Sequence, residues 1–238
     1  MEREKRLARI AGSLYLGVAV LGGFAELVVR DRLVELGHPV ATAENIRDSA
    51  TLFRAGFVAD LMQATLFLLT AMALYLLLRG VNELVARAMV VIVAVSVAIM
   101  CLNLLNQWVA LRVATDEAFA NVFGAAGSDA LTGLFAGMHH DGYLIAQIFF
   151  GLWLLPLGYL VIKSGWFPTW IGVLLIAGCF GYLIDTFATF LAPSFADAIE
   201  AIVLAPAAIG ELSFVAYLLI KGVRVQGVER LPLAPVPS

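Results

Sequence analysis

The sequence predicts an all-α integral membrane protein of six transmembrane helices. Two observations carry this prediction: the composition, which is 62% hydrophobic and 14% charged with a mean hydropathy of +0.94, and the length of the apolar blocks. A soluble domain carries about 25% charged residues and is roughly half apolar. Here the charges stand mostly between apolar blocks, and blocks of about 18 or more residues are typical of membrane helices. The lipid bilayer is therefore the expected partner of this chain.

Six apolar blocks predict the six spans. They run from Leu7 to Val29, Leu52 to Leu78, Leu84 to Val113, Leu131 to Ile162, Pro168 to Leu191, and Ala198 to Ile220. The first block follows a basic start, "MEREKR", but it is too long for the apolar region of a signal peptide and no small-residue cleavage site closes it. We expect one six-span domain over residues 1–238, with a short N-terminal segment (1–6) and a C-terminal tail (221–238).

The distribution of Lys and Arg predicts the orientation. Ten of the fifteen fall on the side that carries both termini, and five fall on the other side. Cytoplasmic loops carry an excess of these residues, so both termini are expected in the cytoplasm. No basic cluster is long enough to predict binding to nucleic acid.

Polar residues within the spans share helical faces with small residues. At roughly 100° per residue, His140 is predicted at the centre of the packed face of span four, with His139 and Asp141 on either side. The same analysis predicts Glu26, Asp60, Asn103, Asp185 and Glu211 on the packed faces of the other five spans, with Arg54 near the outer end of span two.

The predicted depths of these polar residues place most of them in the same half of the membrane. At about 1.5 Å per residue, Glu26 lies roughly 5 Å below the outer boundary, whereas Asp60 and His140 lie roughly 10 to 15 Å below it and Glu211 roughly 20 Å. The sequence therefore predicts a polar pocket in the outer half of the bundle. Its candidate binding residues are Glu26, Arg54, Asp60, Asn103, His139, His140, Asp141, Asp185 and Glu211.

Two structural explanations compete with a functional pocket. Hydrogen bonds between helices, worth about 0.6 kcal/mol each, would account for Ser96, Asn106 and Gln107. An ion pair with Arg54 would account for Glu26 or Asp60. The remaining carboxylates favour a water-accessible site, because each charge at the membrane centre costs at least about 2.5 to 3.5 kcal/mol.

Three segments resemble a known family. They are "FFGLWLLPLGYLVIKSGWFPTWIGVLLIAGCFGYLIDTFA", "RIAGSLYLGVAVLGGFAELVVRDRLV" and "LFRAGFVADL". From about Arg9 to Gly222 the chain is similar to the bacterial membrane family catalogued as domain-of-unknown-function family 4386. The resemblance implies a six-helix protein of the bacterial inner membrane, and it implies no activity for any residue.

Three classes of function remain open. The favoured one is a binder of a small molecule or lipid, since carboxylates facing a cavity can accept protons or a cationic ligand. The alternative is an intramembrane hydrolase, in which His140, Asp60 and Asp185 would hold a zinc ion with Asp141 or Glu211 as general base. No paired His-x-x-x-His supports this alternative, and the sequence leaves the catalytic residues unknown. The third class is a structural or sensory membrane subunit.

Overall fold

The computed structural model describes residues 2–224, and these residues are almost entirely helical. Their elements are α1 (Glu2–Gly23), a π-helical segment (Phe24–Arg30), α2 (Asp31–Leu33), α3 (Pro39–Asp48), α4 (Ala50–Leu78), α5 (Glu83–Thr115), α6 (Glu117–Leu152), α7 (Leu154–Ser164), α8 (Thr169–Leu191) and α9 (Pro193–Ile220). Six helical stretches among them are long and apolar enough to cross a membrane. The six-span prediction is confirmed, and the protein is a multi-pass membrane protein.

The two ends of the bundle are named here by the chain segments they hold. The terminal end holds residues 2–9, 79–87, 163–169 and 220–224, and the distal end holds residues 26–60, 112–141 and 185–200, which include the connections between the spans there. At the terminal end the amide of Arg224 donates to the carbonyl of Trp166 at 3.0 Å. Most of the predicted tail, including Arg230, lies outside the described residues.

The main apolar core fills the terminal half of the bundle. Trp153 is 1% exposed and packs edge-on against Tyr15 and Phe67, with ring centroids 5.5 and 5.1 Å away. A Cβ added at Gly158 would lie 2.6 Å from the carbonyl oxygen of Gly172, so a glycine there lets α7 and α8 approach closely. The distal end has a smaller core around Ile46, Phe53 and Leu111.

The fourth span is interrupted, whereas the sequence predicted one continuous helix. It comprises α6 and α7, which are separated at Trp153. Pro156 explains the break, because its ring clashes with the carbonyl four residues earlier and it has no N–H to donate. α6 also begins farther out than predicted, at Glu117, and it bends at Gly124, whose φ is 75°.

The first span ends in the π-helical segment, which the sequence did not predict. The amide of Asp31 bonds to the carbonyl of Glu26, five residues earlier. Single π turns within α-helices are frequent at functional sites. Here the segment carries Glu26 and Arg30, which contact each other.

Candidate functional site

Arg30 organises the distal end of the bundle by joining two carboxylates. One guanidinium nitrogen lies 2.5 Å from Asp60 Oδ2, and another lies 2.6 Å from Glu26 Oε2. The Asp60 residue is only 3% exposed, and the guanidinium also lies 5.7 Å from the ring centroid of Tyr143. A planar guanidinium suits this position, since it can bind two carboxylates and stack on an aromatic face at once. We call these four residues the Arg30 cluster.

Asn103 and His139 join α5 to α6 beside the Arg30 cluster. The Asn103 side-chain amide donates to the carbonyl of His139 at 2.8 Å, and it lies 3.3 Å from Nδ1 of the same histidine. The close approach of α5 to α6 depends on Gly142, where a Cβ would lie 2.1 Å from Asn103 Oδ1. The other imidazole nitrogen of His139, Nε2, is buried and has no partner among the described residues.

A cavity of about 150 Å³ opens beside these side chains. Its lining consists of Glu26, Arg30, Asp31, Val34, Leu36, Phe53, Gln107, Ala136, His139, His140 and Tyr143. We call it the distal cavity. An apolar cavity of about this size accommodates benzene, so the space suits a small ring or branched chain.

Gln107 is a residue of the distal cavity whose buried polar atoms have no hydrogen-bond partner in the described protein. Its residue is 1% exposed, and neither its amide nitrogen nor its amide oxygen has a partner among residues 2–224. Leaving a buried polar group unpaired costs about 1 to 3 kcal/mol, and native proteins pair the great majority of such groups. Together with Nε2 of His139, three buried polar atoms of two cavity-lining residues therefore lack a protein partner.

Two further polar groups lie outside the cavity lining. Gln147 donates to Asp185 Oδ2 at 2.6 Å and to the hydroxyl of Thr186 at 3.2 Å. Glu211 accepts hydrogen bonds from the hydroxyl groups of Tyr15 and Tyr182. Each group links neighbouring helices, so Asp185 and Glu211 are separate from the Arg30 cluster.

The structure gathers only some of the predicted site residues. Glu26, Asp60, Asn103 and His139 lie together, and His140 lines the same cavity. Arg54, which was predicted to pair with Glu26 or Asp60, is exposed. Arg30 forms the ion pairs with both carboxylates instead, because it stands one turn after Glu26 in the π-helical segment.

The face of span four differs from the prediction. His139 is buried, whereas His140 and Asp141 are exposed. The reason is the close contact of α5 at Gly142, which turns the His139 side of α6 inward at this level. When the positions of the small residues are averaged over the whole of span four, they indicate the face that carries His140.

The zinc donor set considered from the sequence is not assembled. Within residues 2–224, no three His, Cys, Asp or Glu side chains are grouped closely enough to hold a metal ion. His140 is exposed, and Asp185 is engaged by Gln147.

Three residues of the site were missed, each for a recognisable reason. Arg30 follows the end of the first apolar block at Val29, so the sequence does not mark it as a residue of a span. The sequence predicts interhelical hydrogen bonding for Gln107, and Tyr143 carries no charge that would distinguish it within its apolar block. The spacing of Glu26 and Arg30, four residues apart, is the signal that would have found the ion pair.

Counting residues from the terminal end predicts a shallower position for the Arg30 cluster than counting from the distal end does. About twenty residues of helix separate charged residues of the terminal end from residues at the level of the Arg30 cluster, which is about 30 Å. The pairs compared are Arg79 and Asp60, Glu83 and Asn103, and Lys163 and Tyr143. This equals the thickness of the hydrocarbon core. We therefore expect the distal cavity near the distal interface between lipid and water.

The two ends carry opposite net charge, with His counted as neutral. The terminal end has nine cations (Arg3, Lys5, Arg6, Arg9, Arg79, Arg87, Lys163, Lys221, Arg224) and three acids (Glu2, Glu4, Glu83) among the described residues, a net charge of +6. The distal end has five cations (Arg30, Arg32, Arg47, Arg54, Arg112) and thirteen acids (Glu26, Asp31, Glu35, Glu44, Asp48, Asp60, Asp116, Glu117, Asp129, Asp141, Asp185, Asp197, Glu200), a net charge of −8.

This fold defines a multi-pass, all-helical membrane protein. The family model described as Domain of unknown function (DUF4386) matches residues 10–222, and the chain belongs to that family, as the resemblance implied. It is 36% identical over 88 residues to an uncharacterized protein of Archaeoglobus fulgidus, a match covering 37% of this chain and 51% of that protein. The chain thus spans about half the length of this curated relative. No solved structure matches it.

Proposed function

We propose that the protein binds a small organic cation with an apolar body in the distal cavity. The observation that carries the proposal is the set of unpaired buried atoms on Gln107 and His139. Both residues line the distal cavity, so an ammonium group there can donate to the amide oxygen of Gln107 and, when His139 carries its proton on Nδ1, to Nε2 of His139.

The charge around the cavity favours a cation. Glu26 and Asp31 line it, and the Arg30 cluster adds Asp60. Together with the guanidinium of Arg30, these three carboxylates give a local formal charge of −2. Arg30 is already held by Glu26 and Asp60, so it is not free to bind an anion.

The apolar part of the lining favours a ligand with a ring or hydrocarbon body. Phe53 and Tyr143 contribute aromatic surface, and Val34 and Leu36 contribute aliphatic surface. An ammonium group near an aromatic face gains about 0.5 to 2 kcal/mol, in addition to its attraction to the carboxylates.

The orientation would bring such a ligand from outside the cell. The excess of Lys and Arg at the terminal end favours cytoplasmic termini, in the cytoplasmic membrane. The distal end, with its net charge of −8, then faces outward. A cleft rich in one sign of charge raises the local concentration of oppositely charged solutes.

Interhelical hydrogen bonding explains the cavity less well. That function would require Gln107 to contact a neighbouring helix, yet both of its amide atoms lack partners among the described residues. By contrast, Gln147 does join α6 to α8 through Asp185.

The test is a thermal-shift comparison of purified protein with benzylammonium, cyclohexylammonium and their neutral alcohols. A ligand at about 100 times its Kd stabilises the folded state by about 2.7 kcal/mol, which corresponds to roughly 5 to 10 °C in Tm for a chain of this size. We expect the ammonium compounds to raise Tm by such an amount and the neutral alcohols to raise it much less.

The matched variants are Gln107→Leu and Ser96→Ala. Ser96 lies on the same helix, three turns towards the terminal end, and its hydroxyl is also buried without a described partner. Gln107→Leu is expected to abolish the ammonium response, and Ser96→Ala to keep it. Equal responses to ammonium compounds and alcohols, or an unchanged response in Gln107→Leu, would contradict the proposal.

A further inference from the structure

A groove at the terminal end combines arginine side chains with an apolar floor. It has a volume of about 450 Å³ and is lined by Arg3, Glu4, Leu7, Leu76, Leu77, Arg79, Gly80, Trp166 and Val223. We call it the terminal groove. An adjoining depression, lined by Tyr217, Lys221, Val223 and Arg224, shares Val223 with it and adds two cations nearby.

The two arginines of the terminal groove outnumber its one carboxylate, Glu4, so the charged residues of the lining carry a net positive charge. Within the part of the chain that the structure describes, neither Arg3 nor Arg79 forms an ion pair with a carboxylate. The guanidinium of Arg79 lies 5.9 Å from the ring centroid of Tyr75. Arg87, at the same end of the bundle, differs from both because Glu83 binds it at 2.7 Å.

An exposed apolar stripe leads from the terminal groove along the membrane-facing surface of α4. Leu69, Met72 and Leu76 are 42%, 49% and 46% exposed. They are spaced by three and four residues, so they lie on one helical face, and Arg79 follows three residues after Leu76 at the membrane boundary. This face is apolar along its length and cationic at its end, which is the complement of a phospholipid.

We propose that the terminal groove binds an anionic phospholipid, with its phosphate between Arg3 and Arg79 and an acyl chain along Leu76, Met72 and Leu69. Basic pockets between transmembrane helices on the cytoplasmic side are known to bind anionic headgroups. The net charge of +6 at the terminal end attracts the same lipids from the surrounding leaflet. The indole of Trp166 lies at the level of the headgroups, where Trp is enriched in membrane proteins.

The experiment uses full-length protein in phosphatidylcholine vesicles that contain a small fraction of brominated phosphatidylglycerol. Bromine quenches tryptophan fluorescence on contact, and the part due to Trp166 is obtained by subtracting the signal of Trp166→Phe. The comparison is brominated phosphatidylcholine at the same mole fraction. Two juxtamembrane arginines correspond to roughly a 30-fold preference for the anionic lipid, so quenching of Trp166 should saturate at a far lower fraction of phosphatidylglycerol.

Matched charge variants separate a defined site from general surface charge. Arg3→Gln with Arg79→Gln should reduce phosphatidylglycerol quenching to the level of phosphatidylcholine. Arg6→Gln with Arg87→Gln removes the same charge from the same end, outside the groove lining, and should leave most of the preference intact. Circular dichroism of each double variant in the same vesicles checks that it is folded.

Three results would overturn the proposal. The first is equal quenching by the two lipids, which would mean that the groove does not select the anionic lipid. The second is an equal loss in both double variants, which would indicate surface charge alone. The third is an unchanged preference in Arg3→Gln with Arg79→Gln. The proposal does not depend on the distal cavity, so either site can fail its test alone.

Discussion

The distal and terminal ends of the bundle differ in charge, in packing and in how their polar groups are paired. The terminal end has a net charge of +6 and adjoins the main apolar core, whereas the distal end has a net charge of −8 and contains a cavity with unpaired buried atoms. Such an arrangement separates two tasks. The terminal half supplies most of the apolar burial that stabilises the fold, and the distal end tolerates polar groups that a ligand can complete.

The first prediction concerns which end of the bundle faces the outside of the cell, and it has two opposite outcomes. In a chain whose Cys101 and Cys179 are replaced by Ala, a cysteine at exposed Glu44 of the distal end should react with an impermeant thiol reagent in intact cells. A cysteine at exposed Lys163 of the terminal end should react only after lysis. The reverse pattern would place the acidic end inside the cell and remove the basis for ligand entry from outside.

The largest change in stability is expected at Arg30. Arg30→Gln leaves Asp60 buried without its cation, which should lower the free energy of unfolding by about 3 kcal/mol. Arg87→Gln is the control at the terminal end, because the Arg87–Glu83 pair is exposed, with side chains 64% and 54% accessible. Loss of that pair should cost about 0.5 kcal/mol.

Denaturant titration in detergent measures both variants, and a second substitution sharpens the comparison. Adding Asp60→Asn to Arg30→Gln removes the stranded charge and should restore at least half of the loss. If Arg30→Gln and Arg87→Gln destabilised the protein equally, the Arg30 cluster would not be the buried ion pair described here.

The difference in packing predicts a smaller contrast within one span. A Cβ at Gly158, in the terminal half, would lie 2.6 Å from the Gly172 carbonyl, whereas at Gly137, near the distal end, nothing lies within 4 Å. Gly158→Ala should therefore destabilise the protein by about 1 to 3 kcal/mol. Gly137→Ala should change stability by no more than about 0.5 kcal/mol. The same titration measures both, and equal losses would mean that the two halves are packed alike.

The smallest predicted effect is a gain. Gln107→Leu removes two unpaired buried atoms from the distal cavity, so the ligand-free protein should become more stable by about 1 kcal/mol. A clear loss of stability would show that Gln107 has partners in the protein and is a structural residue.

The prediction from sequence succeeded for the elements that rest on hydropathy. Six apolar blocks were enough to find the six spans, because the bilayer sets their minimum length. The break at Trp153 was missed since a proline within an apolar block need not interrupt it. The π-helical segment was missed because no residue pattern distinguishes one wide turn from an α-helical turn.

The candidate site was predicted in part, and the errors have a common cause. Glu26, Asp60, Asn103 and His139 were found because polar residues in apolar blocks are conspicuous. Helical faces were averaged over whole spans, however, while burial is decided by the helix that packs at each level. For this reason His140, and not its neighbour His139, was predicted at the centre of the packed face. Gln107 could not be recognised, since only the structure shows that its neighbours offer no hydrogen bond.

The most direct test of the central claim is an experimental map of the full-length protein in a lipid nanodisc with benzylammonium added. The account predicts density in the distal cavity within hydrogen-bonding distance of Gln107 and close to the carboxylate of Glu26, with Nε2 of His139 paired to the ligand or to an ordered water. A cavity without density, in which Gln107 and His139 bond to other protein groups, would contradict it.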